Sequence, residues 1–268
     1  MFKININKMN NRINYFEKIR FSTKLNTLSK SDFESYKKNG YFVLRNFLKG
    51  NECKRIKSYA EKYYAEKPKY PITLNIHRKD KNFYNIVSSK KLVKFLNFFQ
   101  KSKIDVLNDQ MIYKKKNSAY SGQSWTFHQD NSYTKAAYGR YVILHIFLDD
   151  SGPKNGGLIF FSGSHKEPIL DFKRRKSHKE KILKNGVTRP GLTINSSHLN
   201  RIKKQYKKID INEKKGTICL MHGHLVHGSY PNFSKTKDRA TYSIAFINRN
   251  AHLPNKGRTS KKIRISLN

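Results

Sequence analysis

The pattern of apolar residues changes near residue 100, and this change constrains the fold more than any other feature of the chain. Before that point, apolar residues recur at helical spacing. After it, short runs rich in β-branched and aromatic residues are separated by clusters of Gly, Asn and Pro. Many short strands joined by turns are typical of a sandwich or barrel and not of a parallel α/β sheet. We therefore expect a mainly β domain with flanking helices.

Helix-capping residues and the spacing of apolar residues predict where the individual helices and strands lie. Ser31 and Glu34 have the spacing of a capping box, and Gly40 is suited to end the helix that they begin. The predicted helices cover 31–39, 51–66 and 92–99. The predicted strands cover 41–44, 106–113, 124–128, 141–148, 158–161, 217–221 and 241–247.

The charge of the chain is strongly unbalanced. Its 268 residues include 56 Lys+Arg and only 18 Asp+Glu, which gives a net charge of +38. A biased composition explains the lysines better than it explains the shortage of acids, because such a bias would also enrich glutamate. We favour a generally basic surface, and an anionic partner such as nucleic acid or a membrane surface is the alternative. No basic helix with interleaved aromatic residues indicates nucleic-acid recognition.

Cysteine usage and segment composition bound the organisation of the chain. Two isolated cysteines, Cys53 and Cys219, make neither a zinc motif nor a disulfide framework, so we expect a reducing, cytoplasmic environment. No apolar run reaches the ~20 residues of a membrane span.

We predict a basic, poorly ordered arm over 1–28, one domain over 29–250 with a lysine-rich insertion at about 166–215, and a basic tail over 251–268. The insertion is interpreted as a solvated surface, with a lid or docking surface as the alternative. The sequence carries no signal of the oligomeric state.

A His-x-Asp triplet, His128 and Asp130, follows the predicted strand over 124–128. Alternate residues of a strand share a face, so this imidazole and this carboxylate would point into the same cavity. With a third, distant histidine they would form the 2-His-1-carboxylate triad that leaves open positions on Fe(II). The triplet alone is weak evidence, because such triplets arise by chance in many proteins.

Three histidines later in the chain, His222, His224 and His227, offer the third ligand. His227 stands where a predicted strand gives way to Gly-Ser, a place where a ligand is easily presented, whereas histidines such as the first two are more often structural. Arg239 follows just before an apolar strand. A guanidinium there can hold a carboxylate through two parallel hydrogen bonds, although a surface charge is the alternative.

The order and spacing of these motifs resemble the phytanoyl-CoA dioxygenase family, which includes ectoine hydroxylases and oxygenases acting on phosphonates. The resemblance runs from about residue 31 to residue 247, and it depends on the joint presence of several short motifs. These are Gly40-Tyr-Phe-Val-Leu-Arg-Asn-Phe47, His128-Gln-Asp130, Leu148-Asp-Asp, Asn155-Gly-Gly157, Ser162-Gly-Ser-His165, His227-Gly-Ser229, Asn232 and Arg239.

The resemblance implies a double-stranded β-helix, which is a cupin-like jelly-roll barrel, with helices packed outside it. It also implies Fe(II) as the metal, 2-oxoglutarate and O2 as co-substrates, and hydroxylation of a C–H bond with release of succinate and CO2. The matching iron ligands are His128, Asp130 and His227. The matching co-substrate contacts are Arg239, Ser229 and, as in some members, Lys114.

His145 is a departure, because family members often carry an aromatic residue there. It is either a neutral pocket liner or a hydrogen-bond partner of the co-substrate. The candidate substrate contacts, each with core packing as the alternative, are Gln110, Trp125, Tyr133 and Tyr230. The basic surface favours a small anionic substrate such as a carboxylate, a phosphonate or an acyl-CoA. A nucleic-acid-associated protein or demethylase and a non-catalytic family member stay open as alternatives.

Overall fold

The computed structural model describes residues 19, 27–64, 72–118, 121, 124–174, 191–253 and 264–267. The predicted arm over 1–28 and the predicted tail over 251–268 therefore lie largely outside the described residues. The helices are α1 (Lys30–Asn39), α2 (Gly50–Tyr64), α3 (Lys81–Val87), α4 (Lys90–Gln100), α5 (Asn131–Thr134) and α6 (Ser196–Gln205). The strands are β1 (Tyr41–Leu44), β2 (Ile72–Leu74), β3 (Ile104–Lys114), β4 (Tyr141–Phe147), β5 (Leu158–Ser162), β6 (Phe172–Arg174), β7 (Leu192–Ile194), β8 (Lys207–Asp210), β9 (Ile218–His222), β10 (His227–Ser229), β11 (Arg239–Asn248) and β12 (Ile265–Ser266).

The strands form a large sheet and two small ones, and all pairs are antiparallel. The large sheet has the order β1-β9-β4-β11-β3-β12, and β2 also pairs with β3. The small sheets are β10-β5-β8 and β6-β7. Within the described part of the chain, the three sheets stay separate and no ring of strands closes. The prediction of short strands with flanking helices, and not of a parallel α/β sheet, is confirmed.

The large sheet has two buried faces, because successive side chains of a strand point to opposite sides. On β11, Tyr242 and Ile244 belong to the apolar core that includes the helices, and we call this side the outer face. Arg239, Thr241 and Ser243 alternate with them and lie on the inner face. Apolar residues of the inner face, such as Phe147, pack with residues of β5 in a second core. The inner face therefore looks towards the small sheet β10-β5-β8.

Helix α1 begins earlier than predicted. Its N-cap is Ser29, and Ser29 forms a reciprocal capping box with Asp32, so the prediction of a box between Ser31 and Glu34 was wrong. Glu34 instead pairs with Lys37 one turn along the exposed side. Two serines flank the helix start, and only Ser29 has an acid three residues on that bonds back to its N–H. Gly40 ends the helix at φ 80°, as predicted.

Several other boundaries differ from the predictions. Residues 124–128 form no regular strand, and α3 was missed although Asp80 caps it. The predicted insertion contains a strand of the β10-β5-β8 sheet, since β8 pairs with β5, and β12 from the predicted tail pairs with β3. These pairings join segments distant in sequence, which local composition does not reveal. None of the helices in the described part of the chain is long and apolar enough to cross a membrane.

Candidate active site

His128 and His227 lie on two short segments that are joined by a reciprocal backbone bridge. The N–H of each residue donates to the carbonyl of the other, at 2.9 and 3.0 Å. The two rings are 4.2 Å apart, centre to centre. Nδ1 of His128 bonds the carbonyl of Thr126, and Nδ1 of His227 bonds that of Leu225. Because a carbonyl can only accept, each Nδ1 carries the hydrogen and each Nε2 is left as the ligand atom.

Asp130 completes the cluster, and its backbone lies at the start of a helix and not in the bridge. Its φ and ψ are −63° and −30°, at the start of α5, so the prediction that strand alternation aligns it with His128 was wrong. Its carboxylate oxygens nevertheless lie 3.3 Å from Nε2 of His128 and 3.6 Å from Nε2 of His227. The ligand atoms of the three residues all lie within 4.8 Å of one another. The helical turn and the bridge together produce the cluster.

The electrostatics of the cluster suit a cation. Burial, and after it the charge of His128, lower the pKa of His227 to about 4, so its imidazole is neutral near pH 7. Burial alone would raise the pKa of Asp130, but the charges of His227 and His128 lower it overall. A neutral imidazole and an ionised carboxylate are the forms in which these side chains bind metals.

Two buried cations lie on the inner face of the large sheet. Arg239 begins β11 directly opposite Lys114 at the end of β3, and both side chains are almost completely buried. Lys114 donates to the hydroxyl of Ser229 at 2.7 Å, and Nε of Arg239 has no hydrogen-bond partner. Burial lowers the pKa of Arg239 to about 10, and burial and then the charge of Arg239 lower that of Lys114. Neither side chain forms an ion pair with a carboxylate of the described residues, although the charge of Asp149 acts on Arg239 and partly offsets the effect of burial on its pKa.

His145 lies between the cluster and these cations. Both of its ring nitrogens are buried without a hydrogen-bond partner. Burial lowers its pKa to about 3, and the charges of His227 and Arg239 act in the same direction. The imidazole of His145 is therefore within electrostatic range of both the cluster and Arg239.

The candidate substrate contacts divide into two groups. Gln110 pairs with Ser243 on the inner face, and Ser243 pairs in turn with His145. Trp125 exchanges two backbone hydrogen bonds with Ser229, one of them to its hydroxyl. The ring of Tyr133 stands edge-on to His128, with 6.3 Å between centroids, and its hydroxyl accepts from the N–H of Leu192.

Tyr230 differs from the other three. Its hydroxyl is bonded to Lys208 and Asp210 of β8, so within the described residues its side chain is not brought to the cluster. Its backbone carbonyl still takes part in the site, because it accepts a hydrogen bond from Lys114.

Three buried polar residues around the cluster were not singled out as site residues: Gln129, Asn131 and His224. Gln129 and Asn131 flank Asp130 in sequence, and this adjacency was the available signal. Their bonds reach residues some forty to ninety-five positions away, which spacing alone does not predict.

The fold is shared with solved structures of oxygenases. EctD from S. alaskensis, solved with 2-oxoglutarate and 5-hydroxyectoine, superposes with a TM-score of 0.66 at 16% identity, covering 93% of this chain and 85% of that one. SnoK, a non-heme alpha ketoglutarate dependent carbocyclase from nogalamycin biosynthesis, gives 0.65 at 13% identity, covering 85% and 88%. At these identities the likeness shows the fold alone.

Sequence comparison then identifies the family. The chain belongs to the phytanoyl-CoA dioxygenase (PhyH) family, whose model matches residues 36–241, and this confirms the resemblance seen in the motifs. Among curated relatives, a probable alpha-ketoglutarate-dependent hypophosphite dioxygenase from Stutzerimonas stutzeri is 26% identical over 155 residues, 58% of this chain and 49% of that protein. A phytanoyl-CoA dioxygenase from Arabidopsis thaliana is 30% identical over 120 residues, 45% of this chain and 37% of that protein. The chain therefore spans half or less of the length of these two relatives.

Proposed function

We propose that this chain is an Fe(II)- and 2-oxoglutarate-dependent dioxygenase that hydroxylates a C–H bond of a small metabolite and releases succinate and CO2. The observation that carries the proposal is the buried cluster of His128, Asp130 and His227 beside the buried side chains of Arg239 and Lys114, which form no ion pair among the described residues. Membership of the family and the fold of its structural neighbours support the same reaction.

The cluster fits Fe(II) by its donor set. Two Nε2 atoms and one carboxylate, with the histidine tautomers fixed by backbone carbonyls, are the ligands of a facial triad with open positions. Fe(II) bound there with 2-oxoglutarate and O2 supplies the oxidising power for C–H hydroxylation. In this proposal the large sheet and the β10-β5-β8 sheet are the two halves of a double-stranded β-helix, with the cluster between them.

The cations fit the far carboxylate of 2-oxoglutarate. Arg239 has the fork of donors that holds a carboxylate, and Lys114 adds a further hydrogen-bond donor. Ser229 accepts hydrogen bonds from Lys114 and from the N–H of Trp125, so its own hydroxyl hydrogen remains to donate to the carboxylate. His145, neutral and without a partner, is placed to donate to the body of the co-substrate.

The substrate is proposed to be small and anionic, with Gln110, Trp125 and Tyr133 as the contacts that the site offers. The charge distribution supports an anion. Each aspartate and glutamate in the described part of the chain has at least one hydrogen bond or ion pair inside the protein. The unpaired surface charge is therefore mainly positive, which steers anions towards the molecule.

The same charge distribution favours association with nucleic acid as a second candidate function. Such binding would arise from phosphate contacts and would weaken steeply with salt. Fluorescence anisotropy with a labelled DNA duplex at 50 and 200 mM salt tests it. A loss of affinity of about 10³-fold or more over this range would support a polyanion site, whereas no binding at the lower salt concentration would remove this candidate.

An anaerobic titration with Fe(II) and 2-oxoglutarate tests the principal proposal. The parent protein is expected to develop the weak visible band of an iron-bound keto acid. His128→Ala should abolish the band and Arg239→Ala should weaken it, because they remove an iron ligand and the far-carboxylate partner. Arg45→Ala is the matched control, since this exposed arginine pairs only with Glu213. A folded parent protein that gives no band would contradict the proposal.

A further inference from the structure

The three proposed iron ligands are not held in the same way. The reciprocal backbone bridge fixes His128 and His227 to each other. The backbone of Asp130 takes no part in this bridge. Asp130 is instead the N-cap of α5, a helix of only four residues. Its own backbone carbonyl accepts a bond only from Tyr133 in the same turn. The backbone next to it is held by a bond from the N–H of Asn131 to the carbonyl of Gly223, and the side chains beside Asp130 add further bonds that help to set the position of the carboxylate.

The side chains on both sides of Asp130 are buried and bonded to residue 224. Gln129 donates to the carbonyl of His224 at 2.9 Å and to that of Pro168 at 3.0 Å, and it accepts from the N–H of Leu170 at 2.8 Å. Asn131 bonds Nε2 of His224 at 2.8 Å and exchanges two bonds with Ala136. Both neighbours of the carboxylate ligand are thus attached to the same residue.

His224 is held firmly enough to serve as that anchor. Its Nδ1 lies 3.0 Å from the carbonyl of Glu167, which can only accept, so Nδ1 carries the hydrogen and Nε2 accepts from the amide of Asn131. The side chain of Glu167 is itself bound by Arg201 through two bonds and by Tyr206. His224 lies in the turn between β9 and β10, three residues before His227.

From this arrangement we infer that His224 is a positioning residue, whose imidazole sets the carboxylate of Asp130 against His128 and His227 by bonding Asn131, while its backbone carbonyl holds Gln129. The inference rests on the proposed function, because it concerns the same metal site. It assigns His224 a role distinct from that of a ligand. Partners that orient a metal ligand commonly change metal affinity by about 10–100-fold when they are removed.

The test uses Co(II), which binds without requiring O2 or 2-oxoglutarate, in the full chain. His224→Leu removes both ring nitrogens, and we expect its Co(II) affinity to fall at least tenfold with a changed visible spectrum. His224→Gln retains one donor and one acceptor, and it should restore the parent spectrum and most of the affinity. Gln129→Met keeps the side-chain length but removes its three bonds. It should weaken Co(II) binding in the same direction, and it replaces His224→Leu if that variant does not fold.

His165→Leu is the matched control. His165 is buried, and its ring packs against that of His222, but it bonds only the carbonyl of Lys37 and no residue next to an iron ligand. It should lower the melting temperature while leaving Co(II) affinity and spectrum unchanged. Parent-like Co(II) binding in folded His224→Leu, or in Gln129→Met where that variant takes its place, would overturn the inference and leave the proposed function standing. A folded parent that binds no Co(II) and gives no band with Fe(II) and 2-oxoglutarate would overturn both.

Discussion

The two faces of the large sheet bury charged groups in opposite ways. On the outer face, the carboxylate of Asp109 accepts from the N–H groups of Ile76 and His77 and from the hydroxyl of Tyr242, and Nδ1 of His77 lies 3.0 Å away. On the inner face, Arg239 forms no ion pair among the described residues and its Nε has no partner. The carboxylate of Asp109 is therefore surrounded by donors, whereas Arg239 keeps a buried nitrogen without a partner.

The difference distinguishes charges that stabilise the fold from charges that await a ligand. A buried ion without partners costs several kcal/mol, so an open network persists only if something outside the chain completes it. Under the proposed function, the far carboxylate of 2-oxoglutarate is the partner of Arg239 and Lys114 on the inner face. The carboxylate of Asp109 needs no such partner.

Breaking the network around Asp109 should give the largest effect on stability. Asp109→Asn removes the charge that faces His77 and accepts from Tyr242, and it should lower the free energy of unfolding by about 3–5 kcal/mol. Urea denaturation measures this loss. Co(II) binding by the folded fraction should equal that of the parent protein, because Asp109 lies on the side of the sheet away from the cluster. Unchanged stability would contradict the view that the outer face is a structural network.

Removing the buried arginine of the inner face should not lower the free energy of unfolding. Arg239→Leu removes a buried cation that forms no ion pair among the described residues, and Asp149, whose charge acts on it, keeps its bonds to Lys57 and to the N–H of Ala240. The free energy of unfolding of the ligand-free protein should therefore be unchanged or higher. Affinity for 2-oxoglutarate should fall by about 2–5 kcal/mol, which calorimetry on the Co(II)-loaded protein measures. Arg249→Leu is the control, because Arg249 bonds Asp105 and its loss should cost stability without affecting 2-oxoglutarate. A marked loss of stability in Arg239→Leu would show that the chain itself already satisfies this arginine.

Neighbouring residues of β11 allow the sharpest comparison of the two faces. Tyr242→Phe removes a hydrogen bond to a buried carboxylate and should cost about 1.5–3 kcal/mol of stability. Thr241→Val, one position earlier on the inner face, removes a buried hydroxyl that has no partner and should be nearly neutral. The two unfolding curves, measured in parallel, give the difference between the faces. Equal losses in the two variants would remove the distinction.

The pH dependence of stability should show the smallest effect. Burial alone would raise the pKa of Asp109, but the charge of His77 and the hydrogen bonds from His77 and Tyr242 lower it overall. A carboxyl group with a depressed folded-state pKa stabilises the protein above its unfolded value of about 3.9, and this contribution is lost as the pH falls through the folded-state value. Metal-free parent protein should therefore lose stability below about pH 4 more steeply than Asp109→Asn. Parallel pH profiles for the two proteins would contradict this account.

The three residues of the cluster could be predicted from the sequence, but the backbone conformation that brings them together could not. His128, Asp130 and His227 could be selected because motif order and spacing carry chemical identity. The strand expected over 124–128 was wrong, because that segment is held by one bridge to His227 and by separate bonds of Trp125 to Ser229 and of Phe127 to Ile194, and no local pattern encodes those contacts. The capping box shifted to Ser29 for a related reason, since two serines competed for one helix start.

The inner-face network was only partly visible in the sequence. Arg239 was singled out by its position before an apolar strand, whereas the pairing of Arg239 with Lys114 depends on a strand register that joins residues far apart in the chain. The absence of hydrogen-bond partners around His145 is a property of the assembled interior. Whether a buried charged side chain has all of its hydrogen-bond partners can therefore be seen only in the folded structure.

The most direct test of the inner-face site compares pyruvate with 2-oxoglutarate by calorimetry on the Co(II)-loaded protein. Both are keto acids that can reach the metal, but only 2-oxoglutarate has a second carboxylate for Arg239 and Lys114. We predict that the parent binds 2-oxoglutarate at least about thirtyfold more tightly, and that most of this preference disappears in Arg239→Leu. Equal affinity of the parent protein for the two acids would contradict a dicarboxylate site at this face.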